Sequence, residues 1–351
     1  MRLRIVNVQA TVRSGMTHQC RPSGIGGKGV YCLPDSMLSL AVTTRGVRAH
    51  QAQAEITPVE PDPVHAGEGM SALRPAAPRR VHTFVLFERY AMKHINTALA
   101  IDEQVVLVTG GARGLGEHLV RSFLREGARV VINYLHSAEK AEALAATAPG
   151  RALAVQADVT DALAVHALVV RAREHFDAPI TTVINNALPN FSFNGEQRPH
   201  ADVLTWQDMQ QQFEGVVRAA INTVQAALPD MQELGFGRVI NVGTNLFQNP
   251  VVPYHDYTAA KAALLSLTRT FSHDLGPHGI TVNMVSGGLL RTTDASAATP
   301  PEVFDLIAAG TPLRRVTTPA EFADAILFFA SPWSRSVTGQ NLVVDGGLVK
   351  N

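Results

Sequence analysis

Gln104-Val105-Val106-Leu107-Val108 runs straight into Thr109-Gly110-Gly111-Ala112-Arg113-Gly114-Leu115-Gly116. The first five residues read as a short apolar strand, and the pattern after Leu115 reads as a helix through Glu126. The glycines between them let the backbone turn tightly and let a ligand come close to it. A helix that begins there presents open N–H groups and the positive end of its dipole to an anion. On its own a glycine-rich turn is as consistent with an ordinary strand–helix link. Its place after the first strand of an alternating series is what points to a dinucleotide pyrophosphate.

That series continues outward. Short apolar strands are predicted at 129–133, 152–156, 181–184, 238–242, 280–285 and 341–344, and helices at 137–146, 161–176, 202–230 and 256–275. Continuous apolar strands alternating with helices predict a parallel sheet covered on both faces, an α/β doubly wound (Rossmann) domain spanning 99–351. Residues 1–98 show neither helical nor strand periodicity and are broken by Pro and Gly, as in Pro58-Val59-Glu60-Pro61-Asp62-Pro63. They carry 12 Lys and Arg against 6 Asp and Glu, whereas the rest carries 18 against 24. They read as a poorly ordered basic extension or a mis-set start, with Met92 a natural first residue.

The whole chain is 46% hydrophobic and 17% charged, enough to bury a large core. Its formal net charge is +0, which favours neither nucleic acid nor an anionic membrane as partner. No apolar run approaches the roughly 18 residues of a membrane helix, and there is no secretory apolar region, so a cytoplasmic location is expected. Both cysteines, Cys20 and Cys32, lie in the extension. A disulfide framework, a thiolate metal site and a cysteine nucleophile are therefore not expected in the domain, and no metal is.

The end of the second strand bears on which dinucleotide binds. Enzymes that take NAD usually place Asp or Glu there, to hold the ribose 2′-hydroxyl. Here the position is Asn133, followed by Tyr134, with no acid before Glu139. Arg113, inside the glycine turn, offers a guanidinium to a 2′-phosphate. The expected cofactor is NADP(H).

Tyr257-Thr258-Ala259-Ala260-Lys261 falls on a predicted helix, which puts the phenol and the ammonium on one face. A free phenol titrates near pH 10, and a nearby cation favours its ionised form. Tyr254 has Thr258, not Lys, at the same spacing and is discounted.

Taken together, these motifs resemble the short-chain dehydrogenase/reductase family, over about residues 103–351. The resemblance rests on the 109–116 turn, Asp158-Val159, Asn185-Asn186-Ala187, Tyr257 with Lys261, Val282-Asn283, Thr292 and Asp345-Gly346-Gly347. In overall wording it is nearest the 3-oxoacyl-acyl-carrier-protein reductases of fatty acid biosynthesis. It implies that Tyr257 is the general acid–base group, that Lys261 lowers the tyrosine pKa and holds the nicotinamide ribose, and that Thr244 orients the carbonyl. It further implies cofactor contacts from Thr109, Gly110, Arg113, Gly114, Leu115, Gly116, Asn133, Asp158, Val159, Asn185, Ala187 and Thr292.

Some positions depart from the family pattern. Thr244 stands thirteen residues before Tyr257, where the family has Ser. Val216 stands where the family has a catalytic Asn, for which Val216 has only a backbone carbonyl to offer. Asn222 is six residues on, about 9 Å along a helix and roughly 240° around it. Leu188 and Gly287 replace variable motif positions. The arginines with which such reductases dock an acidic carrier protein are here Gly235 and His278. The implied substrate is a small ketone or acyl thioester, on the carrier protein or free. A weakly active cofactor-binding sensor is the alternative from another class. The implied assembly is a homotetramer built on the 202–230 and 256–275 helices.

Overall fold

The computed structural model describes residues 98–188, 191, 193–194, 198–293, 296–297 and 299–350, and three short strands upstream. The basic extension otherwise lies outside the described residues. The chain divides into units of residues 1–78 and 79–351. In the first, Val8–Ala10 and Val30–Tyr31 each pair antiparallel with Leu40–Val42.

The second unit holds a seven-stranded parallel sheet. Its strands are β1 (Val105–Val108), β2 (Arg129–Tyr134), β3 (Ala152–Gln156), β4 (Thr182–Asn185), β5 (Gly237–Thr244), β6 (Ile280–Gly287) and β7 (Asn341–Val344). They lie side by side as β3-β2-β1-β4-β5-β6-β7. β1 pairs with β2 through Val106↔Val130 and with β4 through Val106↔Thr182. The order therefore reverses between β1 and β4, and a crevice opens at their carboxyl ends. The helices are α1 (Gly114–Arg125), α2 (Ala138–Ala146), α3 (Ala162–Phe176), α4 (Trp206–Phe213), α5 (Ala219–Leu234), α6 (His255–Leu275), α7 (Pro301–Gly310) and α8 (Pro319–Ala330).

Alternating strand side chains supply both faces of the sheet. Val106, Val108, Ile132, Ile184 and Ile240 pack with Leu119 and Phe123 of α1 and with Phe322 and Ile326 of α8. Val105, Leu107, Val131, Val183 and Val239 pack with Leu168 of α3, Val224 and Met231 of α5, and Leu275 of α6. A fully buried residue of this size contributes roughly 1.5–3 kcal/mol of transfer free energy, so two layers of them hold the crevice rigid. Helix starts are set locally. Asp161 accepts from the Leu163 and Ala164 N–H groups to begin α3, and Thr205 and Asp208 form a capping box on α4.

Two features differ from expectation. The single helix expected at 202–230 is α4 and α5 joined by a π-helical turn, Glu214–Arg218. Apolar spacing does not separate an α turn from one wider turn inside a helix. Helices α7 and α8 were not expected. The second carries a legible start signal, since Thr318 caps Glu321 reciprocally with Pro319 between them. Among the described residues, no helix is long and apolar enough to cross a membrane.

Candidate active site

The turn from β1 to α1 is bare backbone held in a fixed shape. Gly110 and Gly114 adopt left-handed φ values of 61° and 54°. A Cβ on Gly116 would lie 2.1 Å from the Gly110 carbonyl oxygen, so no side chain fits there. The N-cap residue Arg113 makes no side-chain cap bond, which leaves the first N–H groups of α1 without that partner. A glycine cradle at an uncapped helix N-terminus fits a diphosphate. Leu115 anchors the helix start, half-buried against the core.

Thr109 ties this turn to β4. Its hydroxyl donates to the Ile184 carbonyl (3.2 Å) and accepts from the N–H groups of Asn186 (2.9 Å) and Ala187 (3.0 Å). The Asn186 amide donates back to the Thr109 carbonyl (2.9 Å). Both walls of the crevice are thus laced together, and Asn186, unlike its neighbours, was not expected to matter. The doubled Asn in Asn185-Asn186 was the available signal.

Asn133 and Asn185 each make hydrogen bonds that tie the crevice together. The Asn133 Oδ1 accepts from Gly110 N (3.3 Å), and its Nδ2 donates to the Ala157 carbonyl (2.9 Å). β2 runs on to Tyr134, and the first exposed residues beyond it are Leu135 and His136. Asn133 therefore shapes the glycine turn. Asn185 sits in a buried chain in which Thr223 donates to Asn185 (2.7 Å), Asn185 to Asn241 (2.9 Å) and Asn241 to Thr268 (2.9 Å). Its amide joins β4 to β5, α5 and α6. Asp158 accepts from the Thr160 N–H (2.8 Å) and hydroxyl (2.7 Å), which shapes the turn after β3. The Val159 carbonyl accepts from Asn222 (2.9 Å), so Asn222 braces this turn. Thr292 lies exposed in the chain after β6.

At the other side of the crevice β5 ends at Thr244, and α6 brings Tyr257 and Lys261 beneath it. Thr244, Tyr257 and Lys261 are all buried. The Thr244 hydroxyl lies beside the Tyr257 phenol and favours its ionised form. Lys261 Nζ donates to the Val242 carbonyl (2.6 Å) and lies 5.9 Å from the centre of the Tyr257 ring. Burial pushes the phenol up to about 12 against the opposing influence of Thr244, and pushes the ammonium down to about 8. The expected lowering of the tyrosine pKa by Lys261 is not what this arrangement shows. Desolvation outweighs it, with the ammonium tied to a carbonyl instead of the phenol. Tyr254 caps α6, and its ring packs edge-on to Phe191 (5.3 Å) and Phe193 (5.8 Å). Asn245, directly after Thr244, donates to Asp345 (2.9 Å), which also accepts from Gly347 N and Leu348 N (3.0 Å each). The Asp345-Gly346-Gly347 motif thus folds the C-terminal turn onto the end of β5. No cluster of three or more His, Cys, Asp or Glu suited to a metal occurs among the described residues.

A family model described as "Enoyl-(Acyl carrier protein) reductase" matches residues 110–349. A short-chain dehydrogenase/reductase of Serratia marcescens, in a mutant form, superimposes with a TM-score of 0.63 at 31% identity, over 71% of this chain and 99% of that one. The chain belongs to the short-chain dehydrogenase/reductase family. As a member it is an oxidoreductase that uses a nicotinamide cofactor, NAD(P)(H), on small molecules. Curated relatives of this short-chain dehydrogenase/reductase carry diverse names. A 3-oxoacyl-[acyl-carrier-protein] reductase of Staphylococcus aureus is 30% identical over 69% of this chain and 96% of its own length. An L-rhamnose 1-dehydrogenase (NAD(P)(+)) of Azotobacter vinelandii is 35% identical over 71% and 98%. A 3-alpha-(or 20-beta)-hydroxysteroid dehydrogenase of Mycobacterium bovis is 33% identical over 70% and 89%.

The position of the family's catalytic Asn is instructive in this member. Val216 sits in the π turn, buried against Ala220, Ala260, Leu264 and Met284. Its carbonyl shares the Ala219 N–H with that of Glu214. Turns of this kind recur at functional sites because they rearrange backbone carbonyls.

Proposed function

We propose that this short-chain dehydrogenase/reductase reduces a ketone to a secondary alcohol with NADPH, and that Tyr257 hands the proton to the carbonyl oxygen. The observation that carries the reading is the buried cluster of Thr244, Tyr257 and Lys261, with the phenol and the ammonium one helical turn apart on α6. Bound nicotinamide supplies hydride to the carbonyl carbon. Thr244 orients the carbonyl oxygen toward the phenol. Tyr257, held neutral by burial, is in the form a general acid needs for reduction. Lys261 provides the positive charge that stabilises the phenolate once the proton has left, and it reaches the nicotinamide ribose. Gly110, Gly114, Gly116 and the start of α1 hold the diphosphate, with Thr109 and Ala187 shaping that wall and the Asp158-Val159 turn on the adenine side.

Preference for NADPH rests on charge. Positions 134–138 hold no acid. Arg113 is exposed in the turn, and a hollow of about 270 Å³ beside Ala112 is lined by Lys140 and by Arg121, the latter paired with Glu117 of the same lining at 2.8 Å. A charge-assisted bond to a 2′-phosphate contributes about 1.5–3 kcal/mol, so at least a tenfold preference is expected.

A 3-oxoacyl thioester is the substrate class we propose first, on the likeness to the carrier-protein reductases. A free ketone is the second reading, favoured by Gly235 and His278 at the carrier-docking positions and by the net negative charge of 99–351. The test is NADPH oxidation against 3-oxoacyl thioesters and free ketones. Tyr257→Phe, which removes only the hydroxyl, is expected to retain NADPH binding and to lose at least a hundredfold in turnover. A Tyr257→Phe rate near wild type overturns the assignment. Arg113→Ala is expected to narrow the NADPH-to-NADH ratio of kcat/KM. We also propose a homotetramer on α5 and α6. Its small-residue face is narrower than expected, because Ala219, Ala220 and Ala260 are buried within the chain itself, which leaves Ala262 exposed and Ala259 and Ala263 half-buried.

A further inference from the structure

Two side chains of the stretch after β4, Phe191 and Arg198, stack in turn over the phenol. The Phe191 ring lies nearly parallel to the Tyr257 ring, with centroids 4.6 Å apart and planes at 28°. The Arg198 guanidinium lies 4.5 Å from the centre of the same Phe191 ring. Arg198 in turn forms an ion pair with Asp256, the residue immediately before Tyr257. Phe193 closes the edge, 5.6 Å from the Tyr257 ring at 82°.

The pair is sheltered, with side-chain exposures of 18% for Arg198 and 6% for Asp256. Arg198 Nε makes no hydrogen bond. The guanidinium is held by the Asp256 carboxylate and the face of Phe191, with the Asp208 carboxylate also within reach of its charge. A sheltered ion pair is costly to form unless its geometry is held by packing, and a guanidinium over an aromatic face is one way to hold it. The consequence is steric. Phe191 fills space beside the one hydroxyl to which a reacting carbonyl has to be delivered, and α6 itself fixes where it stands. A flat group attached to the carbonyl would contend with Phe191 for that face of Tyr257, while a methyl or a slim chain would not.

We propose that Phe191 is the specificity-determining residue of the site, admitting slim groups beside the carbonyl and excluding ring-sized ones, and that Arg198 and Asp256 are the positioning residues that hold it against Tyr257. The proposal rests on the ketone-reductase reading above and adds the substrate class, a ketone with a narrow alkyl flank.

The experiment compares ethyl acetoacetate with ethyl benzoylacetate, which differ only by methyl or phenyl on the reacting carbonyl. The preference between them is read as the ratio of kcat/KM and, independently of turnover, as the ratio of Kd by calorimetry on the full chain. Wild type is expected to favour the acetyl ester at least tenfold. Phe191→Ala is expected to shift the ratio toward the benzoyl ester at least tenfold, and Phe191→Leu, a milder change should the alanine variant fold poorly, at least threefold. Asp256→Asn is expected to shift it the same way at least threefold, and Asp256→Glu to restore the wild-type ratio. A ratio that stays within twofold of wild type in both Phe191 variants overturns the proposal. An Asp256→Asn variant that lowers both esters equally, with the ratio unmoved, overturns the positioning role of the ion pair. Tyr257→Phe serves as the separate control. Full activity there refutes the ketone-reductase reading, whereas lost activity there with an unmoved Phe191 ratio refutes only this inference.

Discussion

Burial moves Tyr257 and Lys261 in opposite directions, and each shift has a consequence for stability. Lys261 titrates near 8 in the folded chain, against about 10.4 when exposed. Between those values the unfolded state binds more protons, so this group makes stability rise with pH. Tyr257 titrates near 12 when folded, against about 10 when exposed. Its contribution is complete below pH 10 and is lost as pH climbs toward 12. Lys261→Met removes the first effect alone. We expect chemical denaturation at pH 8 and pH 10 to show wild type gaining on the Met variant, by at most about 3 kcal/mol. A difference that stays flat, or shrinks, across that window would place the ammonium in water. At this scale the sequence proposes which residues carry the chemistry but not their ionisation, because desolvation depends on neighbours drawn from β5, α6 and the segment holding Phe191.

At the scale of elements, the glycine turn and the π turn have opposite histories. The first was legible because its glycines sit where only a bare backbone fits, at Gly116 above all. The second was invisible because apolar spacing in 202–230 fits one long helix as well as two helices joined by a wider turn. Val216 lies in that turn, buried against Ala220, Ala260, Leu264 and Met284, so an amide introduced there meets an apolar setting. If the backbone is what this position contributes, Val216→Asn changes turnover by less than about tenfold, or 1.4 kcal/mol. A gain of several hundredfold would show that the natural chain is catalytically impaired, in favour of a sensor. Helix α8 offers a simpler check. Its start depends on the Thr318–Glu321 box, in which Glu321 N donates to Thr318 Oγ1 (3.3 Å) and Thr318 N to Glu321 (2.9 Å). Thr318→Ala is expected to cost about 1 kcal/mol in equilibrium unfolding.

For the molecule as a whole, the family match occupies residues 110–349, and about 250 residues span nearly the full length of the relatives. The basic stretch before it stands apart in charge and in periodicity. Truncation to Met92 is therefore expected to leave the melting temperature within a few degrees of full length and turnover within twofold. A large loss of either would make that stretch part of the working fold. The seven strands and most of the helices could be read from the chain because a parallel sheet buried on both faces demands continuous apolar runs, and such runs are a local signal. The Tyr257–Lys261 spacing and the Thr109–Gly116 turn were legible for the same reason, since each lies within one stretch of backbone. Only the tertiary structure decided that Asn133 and Asn185 turn inward, that Asn186 and Thr109 lace the crevice, and that Phe191, Arg198 and Asp256 stack over the phenol. Each of those depends on where a side chain from one element meets another, from 23 residues away at Asn133 to 77 at Asn186, and no local period or spacing records such a meeting.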